Sequence, residues 1–306
     1  MSAYHAPWWL PGGHLQTVYS ALGPAPRIAW RRERWDTPDG DFIDLDWAEG
    51  GRGPLLALFH GLEGGSSSHY ARKVAAQAQR RGWRCVVPHF RGCSGEANRH
   101  ARAYHSGDSA ELDWILRRLR PDFAAGVSLG GNVLLKWLGE QGAAAAQLVR
   151  RAAAVSAPVD LAASGHALDR TLNRWLYAAH FLTTLKPKAL AKISQHALAI
   201  DATRVSRART LHEFDDLVTA PLHGFRDADD YWARAASGPW LERIRVPTLV
   251  LNAMNDPFLP HAALAAAARR ASPDVVLEFP ATGGHAGFPG RGHWLARRVL
   301  EFCAAP

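Results

Sequence analysis

The chain has 306 residues, of which 47% are hydrophobic and 21% charged, the balance of an ordinary globular protein with a sizeable core. Its net charge of +8 comes from basic residues scattered along the whole sequence, so we expect no nucleic-acid partner. No apolar run approaches the ~20 residues that span a bilayer. The cysteines Cys85, Cys93 and Cys303 are widely spaced and odd in number, which indicates reduced thiols rather than a disulfide framework or a zinc site.

Short apolar runs alternate with amphipathic stretches, the pattern of an α/β protein with a mostly parallel sheet and helices on both faces. The predicted elements are, in chain order, a hairpin of strands 31–36 and 42–47, strand 55–59, a helix over 70–81, strand 83–87, a helix from residue 109, strand 123–125, a helix over 132–138, and strands 152–156, 247–253 and 275–279. Asp108 and Glu111 have the spacing of a capping box, so we expect both side chains to bond the first turn of the helix that follows.

Residues 126–130 read Gly-Val-Ser-Leu-Gly, between a predicted strand and a predicted helix. A serine framed by glycines at this spacing can sit on a strained strand-to-helix turn, where larger neighbours would clash and its hydroxyl is bare. A plain glycine-rich turn gives the same short match by chance. Ser128 is therefore a candidate nucleophile whose role depends on the rest of the site.

A serine hydroxyl needs an imidazole base, and the imidazole needs a carboxylate that fixes its tautomer. Asp256 follows the predicted strand 247–253, and His285 lies in the glycine-rich loop after strand 275–279. Both positions fall outside the carboxyl ends of strands, where open α/β sheets gather their chemistry. Because the order serine, acid, histidine is that of the alpha/beta-hydrolase fold, we predict this fold with Ser128, Asp256 and His285 as its catalytic triad.

Other polar residues compete for these places. Asp227, Asp229 and Asp230 lie in a polar, helical stretch, where capping or solvation is the better interpretation. His293 stands near the start of the last helix as a surface or capping residue, and Asn255 carries no charge that could stabilise an imidazolium. None of them displaces the acid and the base predicted above.

Acyl transfer also needs N–H donors for the oxygen on which negative charge develops. The amide of Leu129, directly after the nucleophile, supplies one, and we expect the second from Leu62 in the loop after strand 55–59. A flexible loop that merely opens the next helix is the alternative. The loop lacks the lysine and Ser/Thr of a phosphate-binding loop, which counts against a nucleotide site.

The stretch from about residue 160 to 240 separates the strand after the elbow helix from the strand that precedes the acid, which is where a hydrolase of this fold carries its cap. We predict a single domain over residues 1–306 with a mainly helical cap insertion at approximately 160–240. Large apolar residues recur there near helical spacing and could line an acyl pocket, although packing accounts for most of them. They are Leu172, Trp175, Leu176, Tyr177, Phe181, Leu182 and Leu185.

Short motifs along the whole chain point to one family. The chain resembles the YheT-like branch of the alpha/beta-hydrolases, bacterial relatives of the eukaryotic lipid-active alpha/beta-hydrolase domain proteins and of the yeast medium-chain ester synthase/hydrolases. The motifs run in family order: HLQT at 14–17, PDG at 38–40, LDW at 45–47, HGLEG at 60–64, FRGCSG at 90–95, YHSGD at 104–108, GVSLGGN at 126–132, SAPVDL at 156–161, EFDD at 213–216, NDPF at 255–258 and GH at 284–285.

Carried across residue by residue, the resemblance implies Ser128 as nucleophile, Asp256 as acid and His285 as base. It implies hydrolysis of carboxylic esters with short to medium acyl chains, or of acylglycerols, without a metal or organic cofactor. Two alternatives stay open: an acyltransferase in which an alcohol replaces water, and a catalytically silent binding protein on the same fold. Met254 and Asn255 depart from the family pattern, which questions only the local hydrogen bonding of the acid.

The expected partner is a small-molecule ester, which can be lipid-like. The start of the chain lacks the charged-then-apolar layout of a signal peptide, so we expect a cytoplasmic protein without a transmembrane segment. Trp8, Trp9 and Leu10 could face a lipid interface, which leaves weak association with a membrane surface open. Packing in the core or against the cap is the default for these three residues.

Overall fold

One mixed sheet organises the part of the chain that the computed structural model describes, residues 4–290 and 292–305. Its strands are β1 (Trp30–Asp36), β2 (Phe42–Ala48), β3 (Leu55–Phe59), β4 (Arg84–Pro88), β5 (Phe123–Val127), β6 (Arg151–Val155), β7 (Thr248–Leu251) and β8 (Val275–Glu278). They lie in the order β1-β2-β4-β3-β5-β6-β7-β8. Strand β2 pairs antiparallel with β1 and β4, and all the other pairings between these strands are parallel. The predicted fold class is confirmed.

Helices cover both faces of this sheet. They are α1 (Gly13–Leu22), α2 (His69–Arg80), α3 (Ser109–Leu119), α4 (Leu129–Gln141), α5 (Leu161–Leu168), α6 (Thr171–Asn173), α7 (Ala179–Gln195), α8 (Ala202–Arg207), α9 (Leu211–Phe214), α10 (Ala220–His223), α11 (Ala228–Ala235), α12 (His261–Ala268) and α13 (Trp294–Cys303). Two 3₁₀ segments (Gly142–Gln147 and Gly238–Arg243) and two π-helical segments (Arg174–Ala178 and Asp215–Thr219) complete them. No helix within these described ranges has the length and apolar character needed to cross a bilayer.

Strand β3 is buried on both faces, and successive residues show it. Ala57 belongs to the apolar cluster that includes side chains of α3 and α4, whereas Leu56 and Leu58 belong to the cluster that includes side chains of α2 and α13. Trp137 of α4 and Leu300 of α13 are fully buried on opposite sides of the sheet. Because each large side chain buried in this way contributes about 1.5–3 kcal/mol, packing on both faces stabilises the parallel strands whose carboxyl edge carries the site.

A helical insert, running from α5 to the 3₁₀ segment Gly238–Arg243, fills the chain between β6 and β7. It has an apolar cluster of its own, in which Leu182, Ile193, Phe214 and Val218 are all buried. The insert lies where the cap was expected. The division of the chain into one domain with a cap at about 160–240 stays a prediction.

The expected capping box at the start of α3 is wrong. Asp108 is the residue before the helix, but its side chain accepts no hydrogen bond from the first turn. Both of its carboxylate oxygens lie 2.9 Å from Arg102 Nη2, and Glu111 accepts a hydrogen bond from Arg91 Nε at 2.6 Å. Arg91 is almost fully buried, and a buried guanidinium needs carboxylate partners more than the helix needs a cap.

Candidate active site

The turn between β5 and α4 holds Ser128 in a strained backbone conformation, with φ of 55° and ψ of −122°. A Cβ at Gly126 would lie 2.3 Å from the carbonyl oxygen of Gly130, and a Cβ at Gly130 would lie 2.5 Å from that of His60. The two glycines are therefore required by close backbone packing on both sides of the serine. Such strain persists only where the surroundings over-determine it, and it presents the Ser128 hydroxyl at the carboxyl edge of the sheet.

Three predicted residues from distant parts of the chain meet at this edge. The imidazole of His285 lies between the other two: its Nε2 is 2.9 Å from Ser128 Oγ, and its Nδ1 is 2.9 Å from Asp256 Oδ2 and 3.1 Å from Oδ1. The Asp256 side chain is completely buried, whereas that of His285 is 10% exposed. The structure thus brings a hydroxyl, an imidazole and a carboxylate into one line of hydrogen bonds.

The loop after β7, which carries Asp256 and is called the acid loop below, also contacts the face of the His285 imidazole. Asp256 Oδ1 accepts a hydrogen bond of 2.8 Å from the amide of Phe258, which closes a tight turn after β7. The Phe258 ring then stacks on His285, with ring centroids 4.0 Å apart and planes at 25°. The imidazole is therefore held at its edge by the carboxylate and at its face by the aromatic ring.

Helix α1 buttresses both loops, a role that the sequence argument missed. Its buried Gln16 Oε1 accepts hydrogen bonds from Asn255 Nδ2 at 3.0 Å and from the Gly283 amide at 2.8 Å. Thr17 Oγ1 accepts one of 2.8 Å from the amide of His285 itself. The HLQT motif at 14–17 contributes only to the family resemblance, whereas two polar residues on one face of a short helix are the signal that could have predicted this role.

Asn255, which departs from the family pattern next to the predicted acid, takes part in these hydrogen bonds of α1. Its Oδ1 accepts a hydrogen bond of 3.0 Å from the amide of Gly284, while its Nδ2 donates to Gln16. One neutral side chain therefore connects the acid loop to α1 and to the loop after β8 that carries His285. The departure from the family pattern leaves the acid in hydrogen-bonding contact with His285.

Two residues that line the same cavity as Ser128, Leu62 and Leu129, have backbone amides without a hydrogen-bond acceptor in the described part of the chain. Leu129 begins α4, where the helix offers its amide no acceptor. Among the described residues, no hydrogen bond engages the amide of Leu62, although those of Gly61 and Glu63 bond the hydroxyls of Tyr70 and Tyr104. The loop that carries Leu62 is therefore anchored on either side of a free N–H group.

Comparison with known proteins shows the family of this chain. A family model for the alpha/beta-hydrolase fold matches residues 54–291. The chain belongs to the alpha/beta-hydrolase family. Within it the chain falls in the YheT-like branch: it is 39% identical to the putative esterase YheT of Escherichia coli, over 94% of this chain and 89% of that protein.

Two further proteins extend the comparison. Human phospholipase ABHD3 is 30% identical, over 99% of this chain and 78% of that protein. A solved esterase from Exiguobacterium antarcticum superposes with a TM-score of 0.60 over 90% of this chain and all of that one, at 14% identity, which shows the shared fold. The predicted resemblance to the alpha/beta-hydrolases is confirmed.

The competing aspartates have other partners in this alpha/beta-hydrolase. Asp227 caps α11 by accepting a hydrogen bond of 2.7 Å from the amide of Asp230, as a capping residue should. Asp229 is exposed and lies 3.2 Å from His212. His293 precedes α13, half-buried and without a side-chain capping bond. These residues belong to the surface of the fold rather than to the line of hydrogen bonds at Ser128.

A cavity of about 620 Å³ opens beside Ser128, between the carboxyl edge of the sheet and the insert. Most of its lining is apolar, including Phe181 and Leu185, which the sequence had suggested as pocket residues. Tyr177 and Leu182 pack in apolar clusters instead. The prediction was wrong for the remaining three apolar residues, which are exposed rather than packed or pocket-facing: Leu172, Trp175 and Leu176.

Within residues 4–290 and 292–305, no group of three or more His, Cys, Asp or Glu side chains is arranged to hold a metal ion. Cys85, Cys93 and Cys303 are all free, and burial raises the pKa of each thiol to about 12. The thiols are therefore protonated and unreactive at neutral pH.

Proposed function

We propose that this protein is a serine hydrolase that cleaves carboxylic esters through an acyl-enzyme on Ser128. The unbroken line of hydrogen bonds from Asp256 through His285 to the serine hydroxyl carries the proposal, with both distances at 2.9 Å. The names of its relatives, an esterase and a phospholipase, support the same reaction class. A small-molecule ester is the proposed substrate.

In the first half of the reaction, Ser128 Oγ attacks the ester carbonyl while His285 Nε2 takes the hydroxyl proton. Asp256 stabilises the resulting imidazolium and keeps its Nδ1–H in place. The amides of Leu62 and Leu129 donate to the oxyanion of the tetrahedral intermediate. Collapse of this intermediate breaks the bond to the alcohol, which leaves with the proton from Nε2.

In the second half, water replaces the alcohol. Nε2 removes a proton from the water, the hydroxide attacks the acyl-enzyme, and the acid product leaves as the proton returns to Ser128. The apolar cavity of about 620 Å³ accommodates an acyl chain, so we propose esters of short to medium acyl chains or acylglycerols. An alcohol that enters at this stage instead of water would give a new ester, and product analysis with added ethanol separates hydrolysis from acyl transfer.

The test is labelling of the nucleophile. A fluorophosphonate probe should modify the wild-type protein on the peptide that contains Ser128, and Ser128→Ala should lose both the label and p-nitrophenyl ester hydrolysis, by several orders of magnitude. Ser164→Ala removes another hydroxyl from the wall of the same cavity and is the matched control. Full turnover by a folded Ser128→Ala protein would refute the assignment, and an inert wild type would favour a binding protein.

A cytoplasmic location and a role in lipid metabolism belong to the same proposal. Fractionation of cells that express the tagged chain tests the location. The role is tested by measuring cellular esters after deletion of the gene and after its replacement by the Ser128→Ala variant. A scaffold would restore the ester levels without the serine hydroxyl, whereas an enzyme would not.

A further inference from the structure

The outer face of α1 is apolar and uncovered. Leu15, Val18, Tyr19 and Leu22 follow the i, i+3, i+4, i+7 spacing of one helical face, and they are 52%, 36%, 41% and 83% exposed. The opposite face of this helix holds the loops of the active site through Gln16 and the residue after it. The helix therefore cannot rotate to bury its apolar side.

More exposed aromatic and aliphatic side chains adjoin this helix. Trp9 meets Tyr19 edge to face with ring centroids 5.1 Å apart, and the preceding Trp8 is 92% exposed. On its flank, His14 stacks on Tyr177 of the π-helical segment, which also carries Trp175, 72% exposed. We call the following set the apolar face: Trp8, Trp9, Leu15, Val18, Tyr19, Leu22, Leu172, Trp175 and Leu176.

The two segments that carry the apolar face contain basic residues and no acidic ones. Residues 1–32 contain no aspartate or glutamate, and neither do residues 170–200. No ion pair within the described ranges engages Arg170 or Arg174, and the guanidinium of Arg174 lies 5.2 Å from the ring centre of Trp175. A second copy of this chain would bring these cations against themselves, whereas an anionic lipid surface neutralises them.

We propose that the apolar face docks on an anionic lipid surface, so that the protein takes its ester from a membrane or micelle. Tryptophan and tyrosine favour the boundary between headgroups and acyl chains, and flanking arginines add attraction to anionic headgroups. The docked segment lies close to the chemistry, because Tyr177 packs on Phe258 and Phe258 stacks on His285. The purpose of docking rests on the proposed ester hydrolysis, but the docking itself does not.

Vesicle co-sedimentation tests the docking without any turnover. Wild type and Ser128→Ala should bind phosphatidylcholine vesicles that contain phosphatidylglycerol, and bind pure phosphatidylcholine more weakly. The double variant Leu22→Ser/Trp175→Ser should bind at least about tenfold more weakly, because it lacks two large apolar side chains whose transfer from water into the lipid favours binding. Val276→Ser, on β8, removes a side chain that is 43% exposed elsewhere and should bind as wild type does.

The arginines have a test of their own. Arg170→Gln/Arg174→Gln should lower binding to the anionic vesicles about tenfold and barely change binding to the neutral ones. Arg52→Gln changes an exposed arginine far along the chain and is the charge control. Hydrolysis of dissolved p-nitrophenyl acetate should be unchanged in Leu22→Ser/Trp175→Ser, in Arg170→Gln/Arg174→Gln and in their two control variants. Unchanged hydrolysis shows that the site is intact in these four proteins.

Failure of the docking proposal and failure of the proposed function look different. The docking proposal is overturned if the wild-type protein does not bind anionic vesicles, or if Val276→Ser loses as much binding as Leu22→Ser/Trp175→Ser. It is also overturned if light scattering shows a dimer that Leu22→Ser/Trp175→Ser converts to monomers. A protein that binds vesicles through these residues but hydrolyses no ester retains the docking and overturns the function.

Discussion

The hydrogen bond between Thr17 and His285 makes a sharp test of how the base is held. The Thr17 hydroxyl accepts a hydrogen bond of 2.8 Å from the His285 amide and donates one of 2.7 Å to the carbonyl oxygen of Gly13. Thr17 is only 8% exposed. Thr17→Val keeps the shape but leaves the histidine amide buried without an acceptor, which should destabilise the fold by about 1–3 kcal/mol.

The effect on turnover should be larger than the effect on binding. A displacement of about 1 Å in a catalytic group can cost about a hundredfold, so we expect kcat for a p-nitrophenyl ester to fall about ten- to a hundredfold. KM should change little, because Thr17 does not line the cavity. The assay is steady-state kinetics together with thermal unfolding.

Thr17→Ser is the matched control, since it keeps the hydroxyl and loses only a methyl group. It should retain near-wild-type kcat. If Thr17→Val unfolds earlier yet turns over as fast as wild type, the bond is structural and does not position the base.

Three further predictions follow from single residues. Asp256→Asn should lose about ten-thousandfold in kcat by misorienting the imidazole, while Asp229→Asn keeps full activity; the reverse outcome in ester kinetics would move the acid to α11. Each buried methylene contributes up to ~0.8 kcal/mol, so activity should rise with acyl length until the cavity is full, and Leu185→Trp should shift the optimum to shorter chains. Leu172→Trp, on an exposed residue, should leave the optimum in place, and equal profiles for both variants would put the acyl chain elsewhere. Burial raises the pKa of Asp215 to about 6, above its value of about 3.9 in an unfolded chain, so the folded state holds the extra proton and its stability falls as pH rises from about 4 to 6. Asp215→Asn should flatten that part of the melting-temperature profile, and an unchanged slope would contradict the role of this carboxyl.

Local spacing was enough to predict the fold and the three side chains that meet at the carboxyl edge of the sheet. The glycines at 126 and 130 have the spacing that a strained turn requires, and the close contacts of both positions bear this out. Asp256 and His285 follow strands whose carboxyl ends must share an edge in a parallel sheet, so their meeting with Ser128 could be expected. Patterns of this kind succeed because backbone sterics and strand polarity act within a few residues.

Contacts between distant segments decided the rest. The spacing that suggested a capping box at Asp108 was overridden by two arginines. Arg102 binds the Asp108 carboxylate, and Arg91, which the fold buries, needs the Glu111 carboxylate as a partner. Periodicity placed Trp175 in a pocket or a packed core, yet the insert turns it to the surface. Helical spacing reports which residues share a face, but not what that face meets.

Helix α1 shows both what the sequence determines and what only the tertiary structure decides. Its sequence specifies an amphipathic stretch, with Gln16 and Thr17 on one side and apolar residues on the other. Periodicity alone would bury the apolar side. The tertiary structure buries the polar side instead, where these side chains accept hydrogen bonds from the amides of Gly283 and His285.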